Sequence, residues 1–203
     1  TNSAKWYGPT LNDDSDYLIH AVHNIASTYH ELFINEAVQS PDDYSTSVIT
    51  NGNLRLGASR SETNFFGGDV AELIVYKQKL NLAQKIIVEN SLAAKYGISI
   101  TTDRYDYDTQ HKYDVAGIGQ VNAGNHHTEA QSAATLSIGN PTDLDDGEFV
   151  LFGHDNGDIS NWTDTERPNN DPDVRRIARE WRVDLSGGDP GMLTLTLSDS
   201  ILP

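Results

Sequence analysis

The chain has no cysteine among its 203 residues, so neither a disulfide nor a thiolate metal site is open to it. It has a single methionine, Met192, and begins at Thr1, as expected of a piece of a longer polypeptide. Basic residues are scarce: 14 Lys and Arg stand against 30 Asp and Glu, a formal charge of −16. A surface of that sign repels phosphate and gains nothing from counterion release, which argues against nucleic acid as a partner. No run of 18 apolar residues occurs, so no membrane-spanning helix is expected. The sequence also lacks a Gly-x-Ser-x-Gly elbow, a P-loop and a dinucleotide fingerprint.

What remains is 37% hydrophobic and 22% charged, enough to bury a core in one large or two small domains. The acidity is uneven. Residues 1–100 carry 7 basic and 11 acidic side chains, and residues 101–203 carry 7 and 19. The composition shifts near Gly97–Thr102, which sets the expected boundary between residues 1–100 and residues 101–203.

The first part reads as strands followed by one helix. Residues 17–23 (YLIHAVH) and 28–38 (TYHELFINEAV) suit strands, and Asn51-Gly52 tolerates the positive φ values of a type I′ hairpin turn. Residues 70–76 (VAELIVY) form the most strand-like run. The spacing then predicts a helix over Leu82–Tyr96: Asn81 is a good N-cap, Gln84 completes a capping box, and Gly97 suits the left-handed C-terminal cap. Leu82, Ala83, Ile86, Ala93 and Ala94 share one face at helical spacing. Beyond residue 100 the pattern changes to short strands at 113–121, 134–138, 148–152, 177–185 and 192–197. The loops between them are dense in Asp, Asn and Gly, and the longest runs from 153 to about 173. Several short strands with turn signals predict a mainly β fold of sandwich type.

Three constellations carry candidate chemistry. Asp143, Asp145, Asp146 and Glu148 crowd one turn, and Asp155, Asn156 and Asp158 crowd the next. Hard oxygen ligands at such spacing suit Ca²⁺, although neither loop matches an EF-hand, and the competing reading is solvated acidic turns. His126-His127 are adjacent and point different ways, so they make no metal site alone. Exposed aromatic rings stack on sugars while polar neighbours bond the hydroxyls. Trp162 with Asn161 in the long polar loop, the Tyr105/Tyr107 pair, and Trp6 with Tyr7 are the candidates. Arg175, Arg176, Arg179 and Arg182 read as partners of nearby carboxylates more readily than as an anion site. Paired catalytic carboxylates are not evident, because Glu31 and Glu36 differ in strand parity, as do Asp69 and Glu72.

The segment Phe66-Gly67-Gly68-Asp69-Val70-Ala71-Glu72-Leu73-Ile74-Val75-Tyr76, followed by Leu80-Asn81, Glu89 and Leu92-Ala93-Ala94-Lys95-Tyr96-Gly97-Ile98, resembles the end of a laminin-G-like, concanavalin A-like jelly roll. Such domains occur in large bacterial surface proteins. Tyr29-His30-Glu31-Leu32-Phe33-Ile34-Asn35 looks like that family's hairpin strand, with Glu36 where glycine is usual. Asp114-Val115-Ala116-Gly117-Ile118-Gly119, Gly153-His154-Asp155-Asn156, Arg179-Glu180-Trp181-Arg182-Val183 and Leu193-Thr194-Leu195 resemble the β-rich module that follows such jelly rolls in gliding-type and marine bacterial proteins.

The resemblance implies a non-catalytic module of a secreted or surface-attached bacterial protein, acting in adhesion or binding outside the cell. A glycan or a surface protein would be the partner, and Ca²⁺ an ancillary ion. A structural unit assembling into a fibre, and an accessory domain of a polysaccharide-degrading enzyme, are the competing readings. Residues 1–100 are too few for a whole jelly roll, so its opening strands are expected from a preceding segment or a second chain.

Overall fold

The structure, a computed structural model, describes Leu11, residues 14–23, 30–39, 56–57 and 65–199, and Pro203. The Asn51-Gly52 turn and the Trp6/Tyr7 pair lie outside the described residues. The fold is mainly β, with antiparallel sheets and one long helix among the described residues. Two compact units divide it: His20–Lys79 form the body of the first, and Leu11–Ile19 with Leu80–Pro203 form the second.

In the first unit, β1 (Ile19–His23), β2 (His30–Ile34) and β3 (Ala37–Val38) make a three-stranded sheet in that order. The run 28–38, which suits one long strand, is divided into a tight hairpin whose turn falls at Asn35–Glu36, where the hairpin-strand pattern of residues 29–35 ends. Phe33 faces Val38 and Ile34 faces Ala37, leaving Asn35 and Glu36 as a two-residue loop with φ of 45° and 67°. Both values lie in the left-handed region that a type I′ turn demands, and Glu36 adopts it without being glycine. His20 stacks on Phe33 across the sheet at 5.6 Å. Residues 70–76, strand-like in sequence, carry no strand among the described residues. β propensity expresses itself only where a ladder partner is present.

The second unit is layered. The helix α1 spans Leu82–Tyr96 as the spacing predicts. Asn81 accepts from the Gln84 N–H at 2.9 Å, and the Gln84 side chain accepts from the Asn81 N–H at 3.0 Å. Gly97 closes the helix at φ 68°, its N–H donating to Ala93. Under α1 lies a four-stranded sheet in the order β11 (Trp181–Ser186), β8 (Phe149–His154), β4 (Tyr113–Asn122), β5 (Asn125–His127). A three-stranded sheet packs on its other face, in the order β12 (Thr194–Leu197), β7 (Leu136–Gly139), β6 (Glu129–Ser132).

Strand parity divides the core. Val115, Phe149 and Leu151 point to the helix and meet Ala83, Ile87, Ala94 and Tyr105. Ile118, Val150 and Phe152 point the other way and meet Leu136 and Ile138 of the second sheet. Val150, Leu151 and Phe152 are all fully buried, which explains an apolar run without alternation. Each such side chain contributes about 1.5–3 kcal/mol of burial free energy. Gly119 faces the helix side, where any β-carbon would collide with the Phe149 ring.

The helix belongs to the second unit, which holds Leu11–Ile19 and Leu80–Pro203, because its apolar face covers β4 and β8. Three expectations shift. Ile87 is buried in that face, while Leu82 is half exposed. The strand expected over 177–185 is broken into β10 (Arg176–Ile177) and β11, and β10 pairs with β9 (Trp162–Thr163) as a short hairpin inside the long acidic loop. The strands β5 and β6 (NHH and EAQS) carry almost no apolar signal, and pairing to β4 and β7 makes them strands.

Candidate functional site

The β9–β10 hairpin presents Trp162, 45% exposed, opposite Ile177. The chain before it is fixed by Asp158. Its Oδ1 accepts from the Ser160 N–H at 2.8 Å and the Ser160 hydroxyl at 2.6 Å, and its Oδ2 accepts from the Asn161 amide at 3.0 Å. Those hydrogen bonds, the Ser160 hydroxyl and the Asn161 amide first, hold the Asp158 carboxyl at a pKa of about 2. The Ala178 N–H donates to the Asp158 carbonyl at 3.0 Å, tying the far strand to the same turn. Arg176 bridges Glu166 and Glu180, and Arg175 and Arg167 both reach Asp164. The arginines expected to pair internally thus do so at positions 175 and 176, while Arg179 donates to the Gly157 carbonyl and lies over the Trp181 ring. The hairpin is a preformed mount for an exposed indole, with the amide of Asn161 spent on holding the turn.

Tyr105 and Tyr107 separate. Tyr105 is a core residue, 1% exposed, whose hydroxyl donates to the His111 carbonyl at 2.7 Å. Burial, with the nearby Asp184 charge, pushes its pKa up. It therefore offers no face to a ligand, a correction to the aromatic reading, because the loop folds back over β8 and takes the ring inward. Tyr107 stays 40% exposed and meets Tyr105 edge-on at 6.1 Å.

The acidic loops bind their own chain. Glu148 is buried and accepts from the Asp145 N–H at 2.8 Å, while Asp146 accepts from the Gln120 amide at 2.9 Å. Asp143 is exposed. Asp155 Oδ1 accepts from the N–H groups of Gly157 (2.9 Å) and Glu180 (3.0 Å). Burial raises the Asp155 pKa, but the Glu180 and Gly157 N–H groups outweigh it and leave the carboxyl below its ordinary value. Asn156 sits at φ 65°, its N–H donating to His154 Nδ1 at 3.0 Å. Among the described residues no three His, Cys, Asp or Glu side chains are grouped to hold a metal ion.

One pair went without a role in the sequence reading. A bulge between Tyr113 and Ala116 places Asp114 at φ 46°, and its Oδ2 lies 2.9 Å from Nε2 of the fully buried His154. Because Nδ1 accepts from Asn156, Nε2 carries the proton and donates to Asp114. Tyr113 stacks on the imidazole at 6.1 Å, and Trp181 meets it edge-on at 6.0 Å. Burial lowers the His154 pKa, against the opposing pull of Asp114. The only sequence signal was the presence of both residues in the segments that carry the second resemblance.

A family model described as "Domain of unknown function (DUF8202)" matches residues 84–203. No curated protein and no solved structure matches the chain.

Proposed function

The chain belongs to the DUF8202 family, and for this member we propose a non-catalytic, extracellular module of a large bacterial surface or secreted protein, serving adhesion or binding. Within that reading residues 1–100 are the C-terminal part of a laminin-G-like jelly roll, and its partner is a glycan or a surface protein. The observation that carries it is Trp162: a 45% exposed indole on a hairpin held by one carboxylate turn and an arginine–carboxylate network. Holding a large ring in solvent costs free energy that a stacked ligand recovers, and a preformed mount lowers the ordering cost of binding. The acidic surface, −12 over residues 101–203, suits a protein that must stay soluble and be repelled by anionic membranes.

A glycan array with the intact chain and with Trp162→Ala tests this. Binding that drops at least tenfold in the variant supports it, and blank arrays for both would leave a spacer. Calcium enters the proposal as an ancillary ion drawn to the exposed carboxylates Asp143, Asp145 and Asp146, which are not grouped into a preformed metal site. Thermal melts in CaCl₂, compared with NaCl of equal ionic strength and with chelator, test that part; an unchanged midpoint removes the ion.

A second reading has its own observation. Among the described residues β12 is the edge of its sheet, and Leu195 and Leu197 are 58% and 48% exposed there. An open edge with apolar side chains is a template for another strand. In the fibre reading a neighbouring domain or a second copy occupies it. Sizing the chain over a hundredfold concentration range separates the two, since a concentration-independent monomer argues against assembly through that edge.

A further inference from the structure

Facing away from the core, the sheet β12–β7–β6 presents two cross-strand rows. One is Glu129–Gly139–Thr194 and the other Gln131–Ser137–Thr196. The middle strand thus offers no side chain and one hydroxymethyl, while the outer strands offer longer polar groups. The result is a trough of about 380 Å³ along β7, within the size range of about 300–1,000 Å³ typical of small-ligand sites.

Its chemistry contrasts with that of the acidic loops. Asp155 and Asp158 are engaged by donors of their own chain. Among the described residues, no such hydrogen bond engages the side chains of Gln131, Ser137, Thr194 or Thr196. Three hydroxyls and an amide can each donate and accept, and Glu129 accepts only. An anion is disfavoured, because Glu129 and the charge of the whole chain repel it, and the set of hydroxyls and amide matches a ligand rich in hydroxyl groups. Among the described residues no aromatic or basic side chain lines the trough, which disfavours a nucleobase or a phosphate; a sugar would be held there by hydrogen bonds alone, without the ring stacking that Trp162 offers.

We infer that this trough is a binding site for a neutral carbohydrate, separate from Trp162, with Glu129 and Gln131 on one bank and Thr194 and Thr196 on the other. The inference rests on the glycan reading above and moves it to a different surface. The glycine and serine of β7 leave room for the sugar ring, and the banks exchange hydrogen bonds with its hydroxyls.

The test uses the full ¹⁵N-labelled chain titrated with maltotriose, cellotriose, laminaritriose and chitotriose. The expected result is that at least one trisaccharide shifts the amides of β6, β7 and β12. Ser137→Leu, which fills the middle of the trough, should then raise Kd at least tenfold. The double variant Thr194→Ala/Thr196→Ala, which removes two hydroxyls at exposed positions, gives the same readout should Ser137→Leu fail to fold. Binding that disappears in Trp162→Ala but is unchanged in both trough variants overturns this site and leaves the glycan reading standing. Shifts by none of the four sugars overturn it as well. A strand-like polar peptide that shifts the same amides while the sugars do not would reassign the trough to peptide.

Discussion

His154 shows how much a single residue can depend on its neighbours. It lies at the end of β8, fully buried, with Tyr113 and Trp181 around its ring, Asp114 on Nε2 and the Asn156 N–H on Nδ1. Burial depresses its pKa, and the Arg179 charge acts in the same direction, against Asp114 and Asp155. The sign for stability follows. An unfolded histidine titrates near 6.5, so above that pH both states are neutral and His154 contributes no pH dependence. Below it the unfolded chain takes up a proton that the folded chain refuses, and stability falls until pH reaches the folded-state pKa. The expected outcome is a Tm that declines from pH 7 toward pH 5, with a shallower decline in His154→Gln; His127, also depressed by burial, supplies part of the remainder. An imidazole resonance of His154 that titrates at or above 6.5 would sink the assignment. None of this was legible beforehand, because a histidine in an apolar run says nothing about which carboxylate a bulge forty residues earlier will deliver.

At the level of elements, the sequence was most informative where local chemistry is decisive. The helix could be read to its last residue because Asn81, Gln84 and Gly97 act within a few positions of themselves. The buried strands β4, β7 and β8 were readable from their apolar content. β5 and β6 were not, since polar segments become strands only when a neighbour supplies the ladder. The Asn35–Glu36 turn was obscured for a different reason: glutamate rarely takes positive φ, and here the hairpin register imposes it. The cap at Asn81 yields a prediction. Its side chain accepts from Gln84 and also donates to the His126 carbonyl at 2.9 Å, joining α1 to β5. Asn81→Ala should lower stability by about 1 kcal/mol for the cap alone, with any further loss reporting the β5 tether. Chemical denaturation checks it, and a change below about 0.3 kcal/mol would mean that the helix is held by its packed face and not by its end.

For the whole molecule, charge is the property that the sequence states outright and whose consequence depends on the fold. Thirty acidic groups face fourteen basic ones, and 19 of the acidic groups lie beyond residue 100. Two opposing effects act there. Like-charge repulsion across the acidic surface favours expansion, whereas the pairs Arg176–Glu166, Arg176–Glu180 and Arg175–Asp164 favour the compact state. Both are screened as the Debye length shrinks from about 10 Å at 0.1 M salt to about 3 Å at 1 M. Exposed pairs contribute only about 0–1 kcal/mol each, and those pairs are few, while the excess of sixteen negative charges acts over the entire surface. Repulsion therefore wins, and Tm should rise by several degrees between 10 mM and 0.5 M NaCl, equally in KCl. A falling Tm would mean that the arginine network around the β9–β10 hairpin contributes more to stability than the surplus charge costs. In that case Arg176→Gln would destabilise more at 10 mM than at 0.5 M salt, and the Trp162 mount would loosen with it.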